Sequence, residues 1–182
     1  MRTSRERLNG LGVLLTALVL CASCSGTGEE VQETPPVEVI SQAGLQQKIA
    51  NAEEQVVFVH AWATWCPPCR EEFPELAGVY KTFHGKGVRF LFVSMDRPSA
   101  KERVAGFMKK YGIPAESYIV ENANDAFIRS LHPQWQGGIP ASFFFNAGGE
   151  LQTWWRGARQ FADYKRVMDS MLEPEATGQQ KK

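Results

Sequence analysis

The sequence predicts an α/β sandwich built on a mixed sheet. Three observations carry that prediction. Short runs rich in β-branched and aromatic residues, VVFVHAW from Val56 and VRFLFVSM over 88–95, read as buried strands. Segments of helical periodicity alternate with such runs. The last apolar stretch, ASFFFNAGGELQTWWRG, turns back on itself around Ala147-Gly148-Gly149, so the sheet closes on a hairpin.

The elements follow in order. Leu45 and Ile49 stand at helical spacing in an amphipathic segment near 42–53. After the strand from Val56, a helix runs from Pro67 to about His84. Proline is tolerated in a first helical turn, where its missing N–H had no partner anyway. Beyond the second strand, residues 99–111 form a helix capped by Ser99, with Val104, Phe107, Met108 and Tyr111 on one face. ESYIVEN is a short strand and NDAFIRSL a short helix. After the hairpin, a last helix spans about Phe161 to Leu172.

The two ends have a different composition. Arg2, Arg5 and Arg7 precede an apolar run from Leu11 to Leu20. A transmembrane helix needs about 20 apolar residues, so this shorter run with its basic flank reads as an export signal over 1–23. Ala22-Ser23 are the small residues wanted before a cut, and Cys24 follows in the manner of a lipoprotein lipobox, although Cys21 stands where leucine is usual. Lipidation is therefore expected at Cys24. Residues 24–37 then form a polar tether, 38–172 the domain, and 173–182 a disordered tail. Loss of the signal would leave 17 basic and 19 acidic residues, a formal charge of −2. No long basic run remains, which disfavours nucleic acid as a partner.

Cysteine usage narrows the chemistry. With Cys21 and Cys24 assigned to the signal and the lipid, Cys66 and Cys69 are the remaining thiols. A disulfide across so short a loop adds little stability. A structural zinc site needs four ligands, and His60, His84 and His132 are not paired at ligand spacing, so no metal is expected. Haem attachment would need a histidine at position 70, which is arginine. In Cys66-Pro67-Pro68-Cys69, Cys66 falls at the cap of the following helix. There the orphan N–H groups and the positive dipole end favour its thiolate. Cys69 lies one turn on and deeper. The spacing assigns attack to Cys66 and resolution to Cys69, with no cofactor.

WCPPC after an apolar strand, Pro74 five residues past Cys69, and Ile139-Pro140 ahead of a strand together resemble the thioredoxin superfamily. WATWCPPCREEFP, the signal, the tether and the strand-helix segment near 116–131 are more narrowly similar to the TlpA/ResA-like membrane-anchored thiol-disulfide oxidoreductases. The resemblance covers about 38–172 and implies a thioredoxin-like sandwich with an extra strand-helix insertion. It implies a cis peptide at Pro140, facing the cysteine pair, with the Ile139 backbone and the surfaces of Trp65 and Pro67 meeting an extended substrate. Trp62 would pack beside the pair with Trp65 and help shape that surface. Glu72 would move protons for Cys69; otherwise it is an exposed helix charge. His60 stands where relatives carry aspartate or asparagine. It is either a proton relay or a core histidine bonded to backbone.

The resemblance also implies partners: disulfide-containing substrate proteins and a membrane electron donor. It places the domain in the cell envelope, in the periplasm or on the outer membrane face. Reduction of apocytochrome c thiols is among the tasks of such proteins. Pro67 and Pro68 give the thiolate no extra donor, which favours a reductant. A disulfide oxidase or isomerase, and a non-enzymatic binding domain, are the alternatives.

Overall fold

A computed structural model describes residues 36–173. The export signal, Cys24 and most of the tether and tail lie outside the described residues. Six strands form one sheet: β1 (Glu38–Ile40), β2 (Val56–Trp62), β3 (Val88–Ser94), β4 (Glu116–Val120), β5 (Ala141–Asn146) and β6 (Leu151–Arg156). Their order is β1-β4-β3-β2-β5-β6. The first four in that order are parallel, and β5 and β6 add antiparallel pairs, so the sheet is mixed as expected. The helices are α1 (Gln42–Ala50), α2 (Pro67–Phe83), α3 (Lys101–Lys110), α4 (Asp125–Leu131) and α5 (Phe161–Leu172).

β2 is buried along its whole length because both its edges are paired and both its faces are covered. Alternation sends Val56, Phe58 and Trp62 into one core and Val57, Val59 and Ala61 into the other. The first core is completed by Phe73, Leu76 and Val79 of α2, Val104 and Met108 of α3, and Tyr164 and Met168 of α5. The second takes Leu45 and Ile49 of α1 and Phe127 and Leu131 of α4. His60 shares the phase of Phe58 and Trp62, so a polar ring enters the first, aromatic-rich core.

Two local features depart from the sequence reading, and the hairpin turn follows it. β1 has no signal of its own: three residues beginning with glutamate show no pattern, and pairing with Tyr118–Val120 of β4 makes them a strand. Ser99 does not cap α3. A single 3-10 turn, Pro98–Ala100, precedes the helix, and Ala100 holds the cap position without a side-chain bond. Proline at the start of that turn draws the chain into it before Ser99 can adopt a cap's extended backbone. Gly149 makes the hairpin turn at φ 74°, and a Cβ there would stand 3.2 Å from the Ala50 Cα, so position as well as conformation asks for glycine.

Phe58 packs against Phe90, Phe92, Phe144 and Tyr164 from three neighbouring elements, at ring-centroid distances of 5.0 to 6.4 Å. Phe58→Ala is predicted to cost about 3–5 kcal/mol in denaturant unfolding, the range for a buried aromatic lost from a packed core. A loss under ~1 kcal/mol would mean that the core closes over the gap.

Candidate active site

The site is built where β2 ends and α2 begins. Cys66 is the N-cap residue of α2 with extended backbone (φ −87°, ψ 108°), and its sulfur lies 3.3 Å from the Cys69 N–H, in the geometry of an accepted bond. Pro67 and Pro68 occupy the first helical positions, as their lack of N–H allows. Pro74 lies inside the helix. Cys66 and Cys69 are joined as a disulfide with Cα atoms 5.3 Å apart.

A buried carboxylate holds the approach to the pair. Asp96 accepts from the Thr64 N–H at 2.8 Å, the Thr64 hydroxyl at 2.7 Å and the Ser94 hydroxyl at 2.7 Å. Arg103 of α3 donates to Asp96 at 3.2 Å and to Thr64 Oγ1 at 3.0 Å. Burial pushes the Asp96 carboxyl up, but these bonds outweigh it and hold the group below the usual carboxylate range. Thr64, Asp96 and Arg103 carried no signal in the sequence, because the contact joins positions 32 residues apart.

Cys69 is sealed, as its depth in the helix predicts, and Cys66 is only 4 % exposed. Trp65 beside it is 63 % exposed. Trp62 is wholly buried against Phe73 and Phe107 and therefore shapes no surface, contrary to expectation. Alternation turns it into the core together with Phe58. Pro67 is exposed. The Ile139-Pro140 peptide is cis, and the Ile139 carbonyl oxygen lies 3.8 Å from the Cys66 sulfur. Trp135 Nε1 donates to the Gly138 carbonyl at 2.9 Å and steadies the segment entering that peptide.

Glu72 is not an exposed charge. It is buried, and its Oε1 accepts from the Arg159 N–H at 2.6 Å and from the Tyr164 hydroxyl. Burial pushes its carboxyl up to about 7, against the opposing pull of these two bonds. His60 is also buried. It is bonded to a side chain rather than to backbone: its Nδ1 lies 3.0 Å from Ser142 Oγ. Its Nε2 and Glu72 Oε2 face each other at 3.7 Å, and neither has a hydrogen-bond partner. Burial drives the imidazole down to about 3, so His60 is neutral and the contact is not an ion pair. Each orphan atom costs about 1–3 kcal/mol. Tyr164, Ser142 and the Arg159 main chain are further members of the site that sequence reading missed. Among the described residues, no group of three or more His, Cys, Asp or Glu side chains could hold a metal ion.

A sequence profile of the AhpC/TSA family matches residues 31–153. The thiol-disulfide oxidoreductase ResA of Bacillus subtilis is 33% identical over 124 residues, which span 67% of this chain and 64% of that protein. The ResA of Geobacillus kaustophilus is 26% identical over 146 residues, 80% of each chain. Among solved structures, a thioredoxin-family thiol:disulfide interchange protein of Chlorobium tepidum superposes with a TM-score of 0.56 at 29% identity, over 70% of this chain and 84% of that one.

Glu72 makes stability depend on pH with a definite sign. Its carboxyl would ionise near 4.5 in the unfolded chain but keeps its proton up to about 7 in the fold. Its contribution is therefore full below about 4.5 and is lost as pH rises through 7. Relative to the native protein, Glu72→Gln is predicted to gain ~3 kcal/mol across that window. Urea unfolding of the oxidised protein at both ends of the window measures it. The same difference at both ends would mean that Glu72 titrates as an ordinary carboxyl.

Proposed function

The chain belongs to the AhpC/TSA family, a thioredoxin-like family, and from that premise we propose that it is an exported, lipid-anchored reductase of extracytoplasmic protein disulfides. Thiol-disulfide exchange is the chemistry of its Cys66–Cys69 pair. The observation that carries the reading is Cys66 at the cap of α2, barely open to solvent, with Cys69 sealed behind it and the Ile139 carbonyl alongside.

In the reduced protein the helix end favours the Cys66 thiolate. The thiolate attacks one sulfur of a substrate disulfide, forms a mixed disulfide and expels the other sulfur as a thiolate, which takes a proton. Cys69 loses its proton and attacks Cys66, which releases the second substrate thiol and leaves the Cys66–Cys69 disulfide. Two substrate sulfurs are reduced and two enzyme sulfurs are oxidised. A membrane electron donor of thiol-reductase type then returns two electrons and two protons to the pair. Glu72, buried with a carboxyl that titrates near neutral pH, is the acceptor of the Cys69 proton in this reading. An extended substrate segment lies against Ile139 and Pro140, with Trp65 and Pro67 on the exposed rim.

The prolines between the cysteines support the reducing direction, because they offer the thiolate neither N–H nor charge. The arginine flank, the short apolar core and Ala22-Ser23 support a lipid on Cys24 and a place in the cell envelope, in the periplasm or on the outer membrane face. Apocytochrome c thiols are one candidate substrate.

Reduction of insulin is predicted to vanish in Cys66→Ser. In the reduced protein, iodoacetamide is predicted to label Cys66 well before Cys69, and Cys69→Ser to accumulate mixed disulfides with its substrates. Equal labelling, or insulin reduction that survives Cys66→Ser, would sink the assignment. Mass spectrometry of the native N-terminus is expected to find an acylated Cys24; an unmodified terminus removes the anchor.

A further inference from the structure

Four buried side chains close a ring in the core, one of them on the helix that carries the cysteine pair. His60 Nδ1 lies 3.0 Å from Ser142 Oγ, and Ser142 Oγ lies 3.2 Å from the Tyr164 hydroxyl. Tyr164 donates to Glu72 Oε1, and Glu72 Oε2 faces His60 Nε2 across 3.7 Å. Neither of these last two atoms has a hydrogen-bond partner. The gap exceeds a hydrogen bond by ~0.8 Å, a distance that a small tilt of the carboxyl closes.

The ring has two ways to satisfy its members. The Tyr164 proton is committed to Glu72, so the Ser142 hydroxyl is the pivot: it can donate to His60 Nδ1 or to Tyr164. When Glu72 is ionised, His60 Nε2–H donates to Oε2 and Ser142 donates to Nδ1. When Glu72 is protonated, its O–H donates to a bare Nε2, Nδ1–H donates to Ser142, and Ser142 donates to Tyr164. The two states differ by one proton, held on Glu72, and the imidazole keeps a single proton in both.

We propose that His60 is a tautomer-switching positioning residue, an uncharged imidazole that partners Glu72 Oε2 as donor when Glu72 is ionised and as acceptor when it is protonated. The proposal rests on the reading of Glu72 as the acceptor of the Cys69 proton, since only a carboxyl that passes through both charge states needs such a partner. Asparagine could answer both states only by turning its amide over. Imidazole does so with its ring fixed in place.

The surroundings agree. Phe58, Phe73 and Phe92 ring the imidazole at centroid distances of 5.9 to 6.5 Å, and burial keeps it neutral. The titratable and charged groups facing the pair are Tyr164 of α5, the main chain and guanidinium of Arg159, Glu75 on α2 and the cysteine pair one turn back.

The test is ¹⁵N imidazole NMR of the oxidised full chain. The ring of His60 is identified by replacing His84 and His132 with glutamine, both of which lie outside the core. ¹³C labelling follows the Glu72 carboxyl in the same sample. The proposal expects no imidazolium at His60 from acid to mildly alkaline pH. It expects N–H character to pass from Nδ1 to Nε2 as pH rises, with the same midpoint as Glu72. Glu72→Gln should lock the Nδ1–H form at every pH. In that variant the amide oxygen keeps the Arg159 and Tyr164 bonds, and its NH₂ donates to Nε2. One tautomer throughout the Glu72 titration, an imidazolium within it, or switching that survives Glu72→Gln each overturns the proposal. Release of the mixed disulfide by Glu72→Gln is measured separately. Native rates there would refute the catalytic reading of Glu72 whatever the NMR shows.

Discussion

The Asp96 carboxylate holds the turn from which the redox pair is presented. β2 must leave the sheet at Trp62, because beyond it neither neighbouring strand offers a partner. Within four residues the chain has to reverse from strand to helix and bring Cys66 to the cap. Thr64 is fastened at that point through both its N–H and its hydroxyl to Asp96, and Arg103 ties α3 to the same knot. Hydrogen bonds to a charged group contribute about 1.5–3 kcal/mol each, more than ordinary turn contacts. The helix cap, the direction of α2 and the depth of Cys69 all follow from where this knot places Thr64.

The same face of the sheet carries a second polar group of opposite energetic character. Asp96 is buried and fully bonded. Glu72 and His60 are buried with one orphan atom each. A core made only for stability would fill these positions with apolar side chains, as it does at Phe58 and Phe92. Instead the aromatic packing around His60 is continuous and the polar groups are set within it. Local cost of this kind, surrounded by packing strong enough to enforce it, is characteristic of sites that act.

The two faces of the sheet divide the labour. The cysteine pair, Asp96, Glu72, His60 and Tyr164 lie on the α2, α3 and α5 face or at the β2 and β3 ends that open toward it, while Trp135, which steadies the cis-peptide segment, packs into the other core. The α1 and α4 face is a conventional apolar core around Leu45, Ile49, Phe127 and Phe143. β4 lies between β3 and β1, and its own helix α4 covers that second face. The strand-helix segment therefore widens the sheet without entering the site.

The sequence by itself determined the alternation of strands and helices, the closing hairpin, Cys66 at a helix start and the prolines that start that helix. Each is a local matter: periodicity, β-branched runs, turn glycines and the missing N–H of proline act over a few residues. Only the tertiary structure decided that three residues at 38–40 are a strand, because their pairing partner lies about eighty residues away in β4. It decided that Trp62 is core and Trp65 surface, since both fit the motif and only the strand's phase against the helices separates them. It decided that Glu72 is buried beside His60, because Tyr164, Arg159 and Ser142 approach from 82 to 92 residues along the chain. A helix face at positions 69 and 72 looks the same from the sequence whether water or α5 covers it. Burial, and with it the proton chemistry of a carboxyl, depends on what packs above it.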